Sequence, residues 1–233
     1  MSSYTHPVPR AIPEVVRHFA WFAVVCVVAF LVPHLGVSVL DLQHDLFYLV
    51  YFAVTIALVA TYVRVEQVDV AAIFLRRWRW SLGVGALLAV FLVFNVFNTS
   101  GATARPHGAY FVFELLWRGV GYGLIDTLLL TVFPCFVAYG VLHGHVDGLK
   151  GKLRFTALVL PLVLVVTATY HWGYPQYRQD GLSRPETGNV LISIPTLATA
   201  NPLGSVVAHV SQHVTAVTHV YESRIFNPPV TKS

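Results

Sequence analysis

The sequence predicts an all-α protein, a polytopic transmembrane bundle of about six spans with further broken or half-helices. Three observations carry that expectation. Of 233 residues, 56% are hydrophobic and only 11% are Asp, Glu, Lys or Arg, against roughly 45–50% apolar and about 25% charged in soluble domains. A soluble fold of this length leaves too much surface in water to hide that apolar excess. The apolar residues come in long runs, several close to the ~20 residues that cross a bilayer. The basic residues sit in short clusters between those runs. The formal net charge of +4 therefore reads as loops that orient a membrane protein, with the lipid bilayer and not nucleic acid as the partner.

Residues 1–17 are polar and Pro-containing, with Arg10 and Arg17 ahead of the first apolar run. That run, Phe19 to about Leu40, contains no Asp, Glu, Lys or Arg. It is longer than a signal-peptide core of about 7–15 residues and lacks a small-x-small cleavage site, so it reads as a retained first span. An acidic hairpin from Asp41 to Asp45 leads into a second span, about Leu46 to Val63. The stretch Arg64 to Trp80 has the mixed polarity of a helix lying at the interface. Within it, Arg76, Arg77 and Arg79 interleave with Trp78 and Trp80 as a headgroup anchor. The third span runs from about Ser81 to Phe97, and residues 99–108 form a polar turn.

Ala109 to Leu142 is more than thirty mostly apolar residues. Gly119, Gly121 and Gly123 predict a break there, giving a short helix with Glu114 and Arg118 and then a full span from about Tyr122. Lys150, Lys152 and Arg154 mark the next basic loop, and the fifth span is about Phe155 to Tyr170. The loop Trp172 to Gly188 belongs outside the hydrocarbon. The last apolar block, Asn189 to Tyr221, is divided by Asn201-Pro202-Leu203-Gly204 and predicts a half-helix followed by a spanning helix. The domain organisation is thus a polar N-terminus at 1–17, a transmembrane domain at 18–221 and a polar tail at 222–233. Cys26 and Cys135 lie in separate apolar runs and read as buried thiols. The basic loops 64–80 and 143–154 are two crossings apart and share a side. The positive-inside bias makes that side, and the N-terminus with it, cytoplasmic in a multi-pass protein of the cell membrane.

Ionisable groups inside apolar segments are costly and point to function by default. They are Glu114, Arg118, Asp126, His171, His209, His213 and His219. Glu114 and Arg118 stand four apart, in the favoured order for a helical ion pair. His209 and His213 are also four apart, so both rings leave one helix face. Such a pair can hold a metal or share a proton, yet two histidines alone do not complete a zinc site. His219 reads as a packing residue.

Glu114-Leu-Leu-Trp-Arg118, then His171 at the end of a later span, then His209-Val-Ser-Gln-His213, stand in a recognisable order. It resembles the glutamic-type intramembrane endopeptidases that include the CAAX prenyl proteases and bacteriocin-processing proteins, the CPBP family. Their motifs are Glu-Glu-x-x-x-Arg, Phe-x-x-x-His and His-x-x-x-Asn or Asp, and the resemblance covers about 108–221. It implies site roles for Glu114, Arg118, His171 and His209, with His213 at the Asn position. Phe113 stands where the family has its first Glu, and Thr167 where it has an aromatic. Amide hydrolysis needs a base beside a water and a donor for the oxyanion, and Phe113 supplies neither.

The leading expectation is therefore a non-catalytic relative that binds a membrane-associated peptide or protein, or a hydrophobic ligand, in an intramembrane cavity, without a cofactor. One alternative is an active intramembrane peptidase, with Glu114 as base and His171 and His209 positioning water. The other is a His-rich metal-binding bundle using His171, His209, His213 and Glu114. A haem variant is disfavoured, because axial histidines approach iron from opposite sides. On any of the three, Glu114, His171, His209 and His213 are expected to face one interior cavity.

Overall fold

The computed structural model describes residues 13–223. Most of the expected polar N-terminus and tail lies outside the described residues. A chain in hydrocarbon must pair its backbone groups internally, and the described residues are helical almost throughout. Five helices are long and apolar enough to cross a membrane: α1 (Glu14–Val39), α2 (His44–Val65), α4 (Trp78–Thr99), α5 (Gly108–Val141) and α6 (Gly148–Trp172). Two short helices, α3 (Val70–Leu75) and α7 (Pro175–Asp180), lie between spans. A final pair, α8 (Ser183–Thr199) and α9 (Leu203–His219), completes the bundle. The multi-pass helical architecture read from composition is the one the chain adopts.

Two elements differ from expectation. The glycines at 119, 121 and 123 do not break the chain, and α5 is one helical path of 34 residues. It absorbs its irregularity in two π-helical turns, Leu115–Gly121 and Leu128–Val132, the wider winding that inserts extra residues without opening a loop. In the most apolar window of α5, 67% of residues are buried, against 33–39% in the other four spans. The long helix is thus the central post, and its glycines are where neighbours come close. The last block, expected as a half-helix and a full one, is instead two helices of 17 residues each, roughly 25 Å long.

Asn201 turns the chain between α8 and α9. Its side chain donates to the carbonyl of Phe74 at 2.8 Å and to that of Arg76, and its Oδ1 accepts from Leu203 N at 2.8 Å. The turn is thereby tied to α3. Gly204 then packs directly on the backbone of Ser81 and Gly85 in α4, with Gly204 N donating to Ser81 Oγ at 2.9 Å.

At the same end of the bundle Arg76 and Arg77 both pair with Asp147, and Arg17 pairs with Glu66 at 2.8 Å. The two basic loops accordingly meet at one end. At the other end His219 bonds the carbonyl of Ser100 at 3.0 Å, and Arg178 donates to Ser38 Oγ at 3.3 Å. The main core joins α1, α2, α5 and α6 through buried aromatic residues, among them Phe47, Tyr48, Tyr51, Tyr122, Phe133 and Tyr170. Cys26 and Cys135 are buried free thiols.

Candidate metal centre

The site begins with how α9 meets α5. Gly119 and Gly123 are four apart and present a smooth strip, the small-xxx-small pattern by which membrane helices approach closely. A Cβ at Gly123 would stand 3.0 Å from Val210 Cα, and one at Gly119 would stand 3.3 Å from Val214 Cα. This contact brings His209 and His213, the neighbours of Val210 and Val214, alongside the next turn of α5. Asp126 lies on that turn.

Asp126 Oδ2 is 3.3 Å from His209 Nε2 and 3.9 Å from His213 Nε2. All three side chains are buried, and their ligand atoms lie within 4.8 Å of one another. A tetrahedral ion with bonds of about 2.0–2.1 Å sets its ligand atoms roughly 3.3 Å apart. The Asp126–His209 spacing already has that value, the Asp126–His213 spacing of 3.9 Å is somewhat longer, and the set as a whole, within 4.8 Å, would have to draw together around an ion. The second carboxylate oxygen, Oδ1, accepts from Tyr51 OH at 2.9 Å. Tyr170 OH in turn pairs with Tyr122 OH at 3.0 Å and with Tyr174 OH at 2.7 Å. Tyr122 also meets the His213 ring edge-on, 4.7 Å between centroids. Asp126 is thus held at Oδ1 by Tyr51, while Oδ2 faces the two imidazoles.

A cavity of about 600 Å³ has Asp126, His171, His209 and His213 among its walls. His171 donates from Nδ1 to the Thr167 carbonyl at 2.8 Å. A carbonyl can only accept, so the hydrogen sits on Nδ1 and Nε2 keeps its lone pair. Three polar atoms on the cavity residues, His209 Nδ1, Asn189 Oδ1 and Gln212 Oε1, are buried and make no hydrogen bond among the described residues. Native interiors leave few such atoms unpaired, so all three are available to a molecule in the cavity, water included. Leu92, Ile192 and Ala208 pack together below, while Thr99, Ser100, Ser183 and Arg184 form the mouth. That mouth is at the end of the bundle opposite the basic loops.

Of the ionisable residues singled out in the sequence, Asp126, His171, His209 and His213 share this cavity. Glu114 and Arg118 are not among its walls. They form their own buried pair at 3.0 Å, where Tyr221 OH donates to Glu114 Oε2 at 3.1 Å and the Arg118 guanidinium lies 4.5 Å over the Tyr221 ring. Phe113 does not fill space beside Glu114. It is 43% exposed and stacks between Tyr110 and Trp117 on the outer face. His219 is held by Ser100 and Phe97, a packing role. The residue of this cluster that sequence reasoning did not join to the histidines is Asp126, whose only signal was a carboxylate inside an apolar run. No family model, curated protein or solved structure matches the chain.

Proposed function

We propose that this membrane protein binds a divalent transition metal of the zinc class through Asp126, His209 and His213, at a site reached from the end of the bundle opposite its basic loops. The observation that carries the reading is the convergence of three buried ligand atoms within 4.8 Å of one another. Imidazole suits zinc and its neighbours, whereas calcium and magnesium prefer shells of oxygen. Three protein ligands leave a coordination position free, the arrangement of catalytic rather than structural zinc. The excess of Arg and Lys at the end carrying Arg76, Arg77, Arg79, Lys150 and Lys152 supports placing that end in the cytoplasm, so the cavity opens on the outside.

A metal-free intramembrane peptidase of the CPBP type is the second reading, and the gathering of His171, His209 and His213 on one cavity favours it. Its weak point is the base. Glu114 is engaged by Arg118 and Tyr221, and a carboxylate held by Arg is a poor proton acceptor.

Metal analysis of protein purified in detergent and re-equilibrated with Zn²⁺ tests the proposal. Close to one zinc per chain is expected in the wild type, a small fraction of that in Asp126→Asn and His209→Ala, and an unchanged amount in Glu114→Gln. Zinc content insensitive to Asp126 and His209 would sink the assignment.

A further inference from the structure

The geometry points to a reaction: hydrolysis of a carboxamide in a membrane amphiphile, with His171 as general base at the metal-bound water. The inference rests on the metal reading above and adds a substrate class to it. Three features of the cavity select that class.

The first is that Asp126, His209 and His213, which line the cavity, would leave a zinc-class ion one position for water or substrate, with Tyr51 occupying Oδ1 of Asp126. A zinc-class ion lowers the pKa of a bound water toward neutrality and polarises a carbonyl oxygen. The second is His171, which lines the same cavity. With Nδ1 committed to the Thr167 carbonyl, Nε2 is the ring nitrogen left to accept a proton.

The third is the pattern of unmet hydrogen bonds. Asn189 Nδ2 donates to Thr167 Oγ1 at 2.6 Å and to the Leu130 carbonyl at 3.4 Å. The carbonyl fixes which end of the amide is which, and Asn189 Oδ1 remains as a buried acceptor without a donor. Gln212 Oε1 is a second. A substrate that satisfies them brings N–H or O–H groups. A carboxamide does so at the reacting bond, and an ester does not. Sites built to pair a substrate N–H or O–H discriminate strongly against analogues lacking it.

The substrate's remaining chemistry follows from where the cavity lies. Leu92, Val96, Leu191 and Ile192 wall it between α4 and α8, and the outer face of α4 exposes Phe91 and Phe94. An acyl chain fits that wall. The mouth at Thr99, Ser100, Ser183 and Arg184 sits at the helix ends, the depth of lipid headgroups, and Arg184 brings a cation there. A cavity of about 600 Å³ has the size of a small-molecule site, matching a headgroup and the start of one chain.

A zinc-class ion held by Asp126, His209 and His213 would supply an acidified water; His171 Nε2 would take the proton that this water loses as its oxygen bonds to the amide carbon. The C–N bond then breaks, and the proton on His171 passes to the leaving nitrogen. One water is consumed, and a carboxylic acid and an amine are produced, which ionise to carboxylate and ammonium, without oxidation or reduction.

The test uses the full-length protein in nanodiscs, loaded with Zn²⁺, with metal content measured before activity. Three probes are offered: the N-dodecanoyl amide of an amino alcohol, the matching O-dodecanoyl ester, and a single-pass transmembrane peptide. Cleavage of the amide, in preference to the other two, is expected. His171→Ala should keep its zinc and lose about 10²-fold or more in kcat. Asn189→Leu and Gln212→Leu should keep zinc and raise KM for the amide more than they lower kcat. A wild type that holds no zinc overturns the metal reading and this one together. Zinc retained with no amide cleavage, or with ester or peptide preferred, overturns the substrate class and leaves the metal site standing. Loss of zinc in His171→Ala would make His171 a ligand and overturn its role as base.

Discussion

Two buried charge clusters lie on α5 three turns apart, and they differ in what each residue is for. Glu114 and Arg118 neutralise each other at 3.0 Å, and both are buried. Removing one partner strands a charge in low dielectric at a cost of about 3–5 kcal/mol, whereas replacing both by apolar residues is often neutral. Arg118→Leu should therefore unfold in detergent well below the wild type, and Glu114→Leu combined with Arg118→Leu should recover most of that loss. Equal unfolding temperatures for the two variants would mean that the pair is not a buried unit. At the other cluster Tyr51 touches only the rear oxygen of Asp126. Removing such an outer partner typically costs 10–100-fold in metal affinity. Tyr51→Phe is thus expected to fold normally and to release zinc to a chelator titration about tenfold more readily; unchanged affinity would show that the phenol does not orient the carboxylate. The His209–His213 face was legible because helical spacing is local. Asp126 was not, since its partnership crosses 83 residues of sequence, from 126 to 209, and depends on how closely two helices pack.

That closeness is a property of elements. Gly119 and Gly123 let α9 lie against α5, and Gly204 lets the start of α9 lie on α4 at Ser81 and Gly85. A side chain at Gly204 meets backbone on the facing helix, which cannot give way as a flexible side chain can. Gly204→Leu should cost about 1–3 kcal/mol or more as overpacking, and it should reduce zinc binding because α9 carries both histidines. Normal stability and normal zinc in that variant would place the helix crossing elsewhere. The elbow between α3 and α4 is held differently, by charge. Hydrogen bonding from Arg76, with Arg77 nearby, holds the Asp147 carboxyl below the ordinary carboxylate range. A depressed carboxylate pKa stabilises the fold above the unfolded value near 4, and that contribution is lost as pH falls through the folded value. Tryptophan emission from Trp78 and Trp80 is expected to shift in that acid window in the wild type and not in Asp147→Asn; the same shift in both would assign it to another group. That a polar connection separates the second and third spans was readable from the charged residues of 64–80. Its docking to Asp147 and to Asn201 was not, because no local pattern marks which distant loop a basic cluster will meet. The continuity of α5 escaped the sequence for a related reason. Glycine reads as a helix breaker in water, while in a bundle its small size is the feature that neighbours use.

At the scale of the molecule, the path of the chain fixes what the cavity can reach. With each span crossing once, 66–80, 142–147 and the Asn201 turn come to one end, joined through Asp147 and the carbonyls of Phe74 and Arg76. The mouth residues Ser100, Ser183 and Arg184 come to the other. The buried Leu92–Ile192–Ala208 contact lies on the side of the basic loops, whereas the exposed lining residues Thr99, Ser183 and Arg184 lie at the opposite end. On the proposed orientation, with the basic loops in the cytoplasm, the proposed metal and substrate would enter from outside. Single cysteines at Lys152 and at Ser183, in a background with Cys26 and Cys135 replaced by alanine, separate the possibilities. In intact cells a membrane-impermeant maleimide should modify the cysteine at 183 and should reach the one at 152 only after permeabilisation. An impermeant chelator added outside should likewise strip the metal without entering the cell. Labelling at 152 from outside, with protection at 183, would invert the protein in the membrane; the fold and the site would stand, and the cavity would instead draw its ligands from the cytoplasmic leaflet.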